Sequence, residues 1–173
     1  MAMQVPIYLR SAYQTSTQFT TISGETKAGV SAVRGISMKD DISLINIEGS
    51  GVLDASVLVA QALGALSASH VPVLLITQAS SSHSLCLAVD NNDMDDAIHC
   101  LKSQFEFELK ENIIHDIHYK KRCAMLAIVG DAMVGEVGCS AQLLRCLAKA
   151  NINVLALSQG SSERNISVVV RAC

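Results

Sequence analysis

The chain has 173 residues; 50% are hydrophobic and 17% charged, a balance that excludes a disordered protein. A net charge of −3, few aromatics and no Trp argue against nucleic acid, since neither a basic stripe nor a base-stacking platform is available. No apolar run reaches the ~18 residues of a membrane helix, and MAMQVPIYLR lacks a secretory core, so a cytoplasmic protein with no membrane contact is expected.

In chain order, Val5–Leu9 reads as a short strand. The Ser/Thr/Gln-rich stretch Ser11–Thr21 reads as linker, and Gly24–Gly29 as a flexible tip. Val33–Ser37 is a strand candidate. After a turn-like Lys39-Asp40-Asp41, Ile42–Glu48 alternates apolar and polar as a half-buried strand does. Asp54 is placed to cap a helix running to about His70, which Pro72 cannot continue. Val73–Thr77 and Leu85–Val89 are strands about a turn at Gln78–Ser82. Asp90 or Asn92 caps a helix from Asp93 to about Lys110, and Ile113–Tyr119 is a further strand. Then come a strand at Cys123–Val129, a loop at Gly130–Gly138, a helix at Ser140–Ala150, a strand at Ile152–Ser158, a turn at Gln159–Glu163 and a strand at Asn165–Val170.

Two stretches, LITQASSSHS at 75–84 and LSQGSSERNI at 157–166, repeat one pattern, with Gln78 and Gln159 81 positions apart. At that offset the match extends without a gap: Ile47 onto Ile128, Gly49 onto Gly130, Ala60-Gln61 onto Ala141-Gln142, Leu66 onto Leu147, and Ser80-Ser81 onto Ser161-Ser162. This is an internal duplication. The first copy reads strand, helix, strand, strand, helix, strand; the second lacks its last helix. That order predicts two ferredoxin-like βαββαβ units of the α+β class, with helices on one face of an antiparallel sheet.

VRGIS, LITQASSSHS, LAKANINV and LSQGSSERNISVVV resemble the regulatory region of aspartokinases, and most of all that of the bifunctional aspartokinase–homoserine dehydrogenases. The likeness covers about residues 33–173 and is weaker over 1–32. It implies two interlocked ACT domains: 1–32 as an arm leaving a kinase domain, 33–121 as the first unit and 122–173 as the second, with 33–37 expected to complete the second. It also implies a non-catalytic fragment that senses an amino acid for feedback inhibition, with threonine foremost and lysine or methionine as alternatives, and a homodimer through the ACT units. The fragment itself would need no cofactor; the parent kinase would use ATP and Mg. The Lys-Phe-Gly-Gly opening of the kinase and the Gly-rich fingerprint of the dehydrogenase are not in this sequence, so an excised fragment is expected.

ACT domains bind ligand between the first strand–helix loop and the end of the second strand. A helix N-terminus there suits a carboxylate, while Gln, Ser and carbonyl oxygens suit an ammonium or hydroxyl. Mapped by resemblance, the first candidate set is Gly49, Ser50, Gly51, Asp54, Gln78, Ser80 and Ser81. The second is Gly130, Asp131, Met133, Gln159, Ser161, Ser162 and Asn165. Gln78 and Gln159 are the foremost contacts, Gln78 slightly ahead. The bland alternative is that Gln and Ser at a strand end only satisfy local backbone groups. Departures from the family exist: its frequent Pro-Gly is Ser56-Val57 and Val137-Gly138 here, and the Glu after the Ser pair is Ser82 in the first copy but Glu163 in the second. They motivate a competing reading, a dimerisation scaffold that binds no ligand.

Other chemistry is excluded on spacing. Gly49-Ser50-Gly51 imitates a dinucleotide loop, but Asp54 stands at the third glycine position. Asp93, Asp95 and Asp96 lack the glycine of a calcium loop and fit an acidic first helical turn. His115 and His118 fall on opposite faces of a strand. Cys139 and His83 have no third group to orient a base. The six cysteines form no CxxC pair and read as buried free thiols without metal. Residues 49–54 hold neither the Arg nor the Asn of a small acyl-phosphate hydrolase.

Overall fold

The computed structural model of the chain describes residues 5–13, 19–22, 31–78 and 84–172. β1 (Ile7–Leu9) and β2 (Thr20–Ile22) pair antiparallel, with Tyr8 opposite Thr21. Both strands are exposed, and Tyr8 meets Phe19 edge to face at 5.0 Å between ring centroids. The linker expected over Ser11–Thr21 thus ends in a strand, because the β-branched run Thr20-Thr21-Ile22 favours extended pairing. The expected tip Gly24–Gly29 lies outside the described residues.

The main sheet has six antiparallel strands in the order β4-β5-β3-β6-β8-β7. Its centre is a ladder of two long strands, β3 (Gly35–Gly49) and β6 (Ile114–Val129). Separate strands were expected on either side of Lys39-Asp40-Asp41 and of Lys120-Lys121-Arg122. The chain instead kinks and runs on, with Asp41 at φ 53 and Arg122 at φ 58, and the register slips between Lys39 and Ile42. Asp41 and Arg122 occupy the same place in the duplication, 81 positions apart.

The first unit comprises the C-terminal half of β3, α1 (Ala55–Ala68), β4 (Val73–Gln78), β5 (Ser84–Asp90), α2 (Met94–Gln104), α3 (Glu106–Lys110) and the N-terminal half of β6. The second comprises the rest of β6, α4 (Cys139–Lys149), β7 (Val154–Gln159) and β8 (Asn165–Arg171). The start of β3, Gly35–Lys39, completes it by pairing with Met125–Val129. Each unit therefore borrows a strand from the segment that begins or ends the other. Among the described residues no helix follows β8.

Local chemistry explains the helix limits. Asp54 caps α1, its Oδ1 accepting from the Ser56 N–H at 2.8 Å. Leu58, Ala62 and Leu66 recur at four-residue spacing and form the buried stripe. α1 ends where His70 turns left-handed and the Val71 N–H reaches the Leu66 carbonyl at 2.9 Å. α4 ends identically at Asn151, with the Ile152 N–H on Leu147. The helix expected from Asp93 to Lys110 breaks at Phe105, which is fully buried, and a short 3-10 turn at Asn91–Asp93 precedes it, capped by Asp90.

Three apolar clusters hold the fold. One lies between the sheet and α1/α2, around Ile45, Ile47, Leu58, Leu87, Met94, Leu101 and Phe105. A second lies under α4, around Ile128, Met133, Leu143, Leu147, Ile166 and Val168. The third joins the units: Ile42, Leu44, Leu75 and Ala88 pack with Cys123, Ala156 and Val169. The helix-free faces of the two halves thus turn toward each other about the kinks, and the edge strands β4 and β7 touch. Each large side chain so buried contributes about 1.5–3 kcal/mol. The helix-bearing face of the second unit is less covered, with Ile36 and Met38 exposed beside a shallow apolar pocket next to α4.

Candidate functional site

The two strand–helix loops, equivalent in sequence, differ in geometry. In the first, the Ser50 N–H donates to the Ile113 carbonyl at 2.8 Å, Gly51 is left-handed at φ 86, and the Asp54 carboxylate closes the start of α1 by accepting from both the backbone and the hydroxyl of Ser56. In the second, the position of Asp54 is Gly135. The cap of α4 is Gly138 at φ 99, and no side chain caps the helix. The first N–H groups of α4 are therefore left to whatever enters the space in front of them.

That space is a pocket of about 440 Å³ lined by Met133, Gly135–Ala141, Gln159, Glu163 and Ile166. Gln159 and Glu163 come from the end of β7 and the turn that follows it. Gln159 Oε1 accepts from Ser140 Oγ at 3.0 Å, which ties the strand end to the first turn of α4. Glu163, itself left-handed at φ 54, accepts from the Gly135 N–H at 2.6 Å and so fixes the loop wall. The pocket thus offers uncapped backbone N–H groups on one side and an amide and a carboxylate on the other.

Of the second candidate set, Met133 and Gln159 line this pocket, Met133 as part of its apolar floor. Gly130 does not. It is buried under the Ala32 backbone, where a Cβ would collide with the Ala32 carbonyl, and its N–H bonds Arg164. Asp131 is engaged by Arg164 Nε at 2.9 Å, and Asn165 Oδ1 by Ser167 Oγ at 3.2 Å. Ser161 and Ser162 are exposed in the turn.

In the first set, Gly49 ends β3 and Ser50, Gly51 and Asp54 stay in the loop, while Gln78 sits at the end of β4 and lines a different cavity, the cleft between the units. Ser80 and Ser81 lie outside the described residues. Pocket residues absent from both sets include Gly135, Gly138, Ser140 and Glu163. The signal for Gly138 and Glu163 was present, since each keeps the family residue that the first copy has lost. Ser140 carries no signal until its bond to Gln159 is seen.

Cys123 is buried, Cys86 partly so, and Cys146, expected buried, is exposed on α4. Burial pushes Cys86 and Cys123 above the ordinary thiol range, with the charges of Lys120 and Arg171 only partly opposing this at Cys123. Among the described residues no group of His, Cys, Asp or Glu could hold a metal, and no helix is long and apolar enough to cross a membrane.

The family model of the ACT domain matches residues 45–105 and 126–173, well over half of the chain. The chain belongs to the ACT-domain family. Its two matched segments correspond to the two units of the fold. The bifunctional aspartokinase/homoserine dehydrogenase of Daucus carota, named as chloroplastic, is 36% identical over 177 residues, covering 98% of this chain and 19% of that protein. The aspartate kinase of Clostridium acetobutylicum, titled an allosteric enzyme, shares the fold at a TM-score of 0.80 and 21% identity, over 97% of this chain and 38% of that one. E. coli aspartokinase III, in a complex titled with lysine and aspartate in the T-state, does so at 0.68 and 19%, over 97% and 36%. The expected resemblance to aspartokinase regulatory regions is borne out, as is the tandem ferredoxin-like ACT fold. The chain spans about a fifth of the length of the carrot relative it matches.

Proposed function

We propose that this chain is the allosteric region of an aspartokinase, the first enzyme of aspartate-family amino-acid biosynthesis, and that it binds an end-product amino acid for feedback inhibition. The observation that carries the proposal is the second unit's pocket, where the uncapped start of α4 faces Gln159 and Glu163. A carboxylate would take the α4 N–H groups, an ammonium the Glu163 carboxylate, and a side-chain hydroxyl the Gln159 amide. Threonine supplies all three. Lysine, named in the E. coli complex, and methionine are the other candidates.

Gln159, rather than Gln78, is then the principal contact, because Asp54 already occupies the start of α1 in the first unit. The effector would bind one arrangement of the ACT pair more tightly and shift the attached kinase toward it, by no more than that difference in affinity. The fragment would do no catalysis. The kinase, with or without a dehydrogenase, would lie outside residues 33–173, with 1–32 as the arm leading from it, 33–121 and 122–173 as the two ACT units, a homodimer as the assembly and the cytoplasm as the compartment.

Calorimetry of the chain with threonine, lysine and methionine tests this. Binding of one of them, weakened at least tenfold by Gln159→Ala, is expected. Failure of all three at millimolar concentration sinks the regulatory reading. It would leave the ligand-free dimerisation scaffold, which the closed first-unit loop favours.

A further inference from the structure

Across the β3–β6 ladder Glu48 pairs with Asp116, Asn46 with His118, and Leu44 with Lys120. The duplication maps these six onto Val129, Gly35, Ala127, Ser37, Met125 and Lys39, which pair with one another in the same order. The ladder is two-fold in its backbone but not in its chemistry. Where the second unit has Val, Gly, Ala and Ser, the first has two carboxylates, an amide and an imidazole.

Asn46 and His118 of that group line one end of a pocket of about 490 Å³ in the cleft between the units, with Glu48 and Asp116 beside them, and its far wall is the Leu155–Leu157 segment of β7. Asn46 Nδ2 donates to Glu48 Oε1 at 2.8 Å and lies 3.4 Å from His118 Nε2. The imidazole is 3.8 Å from Glu48 and 3.7 Å from Asp116. Asn46 Oδ1 accepts no hydrogen bond among the described residues. At the other end stands Lys120. Its counterpart Lys39 is neutralised by Asp90 at 2.8 Å, but the position equivalent to Asp90 is Arg171, and Lys120 has no ion-pair partner among the described residues. The cleft therefore gathers acceptors at one end and an unneutralised ammonium at the other, with apolar wall between.

We propose that this cleft binds a small zwitterion of the ω-amino-acid class, its ammonium at the Asn46 amide oxygen with the Glu48 carboxylate behind it, its carboxylate on Lys120, and its aliphatic stem on Leu155 and Ala156. The two ends are two to four strand residues apart, about 7–13 Å. That separation suits charges at opposite ends of a chain and not the two charges on one carbon of threonine. The site is distinct from the Gln159 pocket, and the two can be tested apart.

The probe is 6-aminohexanoate, titrated calorimetrically into the chain beside hexylamine and hexanoate, each of which lacks one charge. One equivalent of 6-aminohexanoate should bind, with both controls at least tenfold weaker. Lys120→Met should weaken it at least tenfold, and so should Leu155→Trp, which fills the wall, while Gln159→Ala should leave it unchanged. Circular dichroism confirms that each variant is folded. No binding at millimolar concentration, binding indifferent to Lys120→Met, equal binding of hexylamine, or loss with Gln159→Ala would each overturn the proposal.

Discussion

Ile42 is paired with Cys123 across the β3–β6 ladder, and the two are the same position in the duplication. The pseudo-two-fold axis of the molecule therefore passes between a residue and its own copy, immediately beside the kinks at Asp41 and Arg122. Both side chains are fully buried in the cluster that joins the units. At this point the two halves cannot separate without exposing core.

Thiol chemistry reads that closure. Cys123 and Cys86 lie in or against the joining cluster, and burial holds both thiols above the ordinary range, which reduces the thiolate that alkylating reagents attack. Cys146 is exposed on α4. In native protein at pH 8, mass spectrometry after brief alkylation should find Cys146 modified and Cys86 and Cys123 protected, with protection lost in denaturant. Early labelling of Cys123 would mean that the units open about the kinks.

Gly130 is a packing requirement. The segment before β3 crosses it so closely that any side chain must displace the Ala32 backbone. Gly130→Ala should cost about 1–3 kcal/mol, the range of overpacked sites, measured by urea unfolding. Gly35→Ala, where the neighbour is the movable end of the Val129 side chain, should cost less.

Much of the fold was legible in the sequence because duplication makes each copy a check on the other. The Asp54 cap and the ends of α1 and α4 are local chemistry, and the helix ends at His70 and Asn151 repeat at the duplication offset while the cap does not. The long strands were not legible. Lys39-Asp40-Asp41 and Lys120-Lys121-Arg122 have turn composition, and only tertiary packing of the helix-free faces makes them kinks within a strand. The candidate site was half legible. Gln159, mapped by the repeated turn and the resemblance, lines the second unit's pocket. Ser140 and Gly135 matter only through partners some twenty or more residues away, and Gly130, Asp131 and Asn165 were mapped to a ligand though their partners are the chain itself.

The two helix starts respond differently to mutation. Asp54→Ala removes the α1 cap and should cost about 1 kcal/mol in urea unfolding, with no change in effector affinity if the second unit holds the site. Gly138→Ala forces a side chain into the left-handed region at φ 99. It should cost about 1–2 kcal/mol and also weaken effector binding, because it reshapes the loop in front of α4. A binding loss from Asp54→Ala alone would return the site to the first unit.

The Lys39–Asp90 bridge ties the second-unit part of β3 to the end of β5 in the first. The hydrogen bond from Lys39, followed by that of the Asn92 backbone, holds the Asp90 carboxyl below its ordinary value, and the same bond raises Lys39. A depressed carboxyl stabilises the fold above its unfolded pKa and ceases to do so as pH falls through the folded one. A raised lysine stabilises below its unfolded pKa and ceases to do so as pH rises through the folded one. The bridge therefore acts between the acid range below 3.8 and the alkaline range above 10.5. Both groups are exposed, so the effect is small and screened by salt. Asp90→Asn should lower the unfolding midpoint slightly at neutral pH in low salt, with the difference from wild type vanishing at high salt and at either pH extreme. At the equivalent hinge, Arg171→Asp would give Lys120 the carboxylate that Lys39 already has. It should raise the midpoint at low salt and, by occupying Lys120, abolish 6-aminohexanoate binding; retention of that binding with Lys120 newly paired would separate the lysine from the cleft.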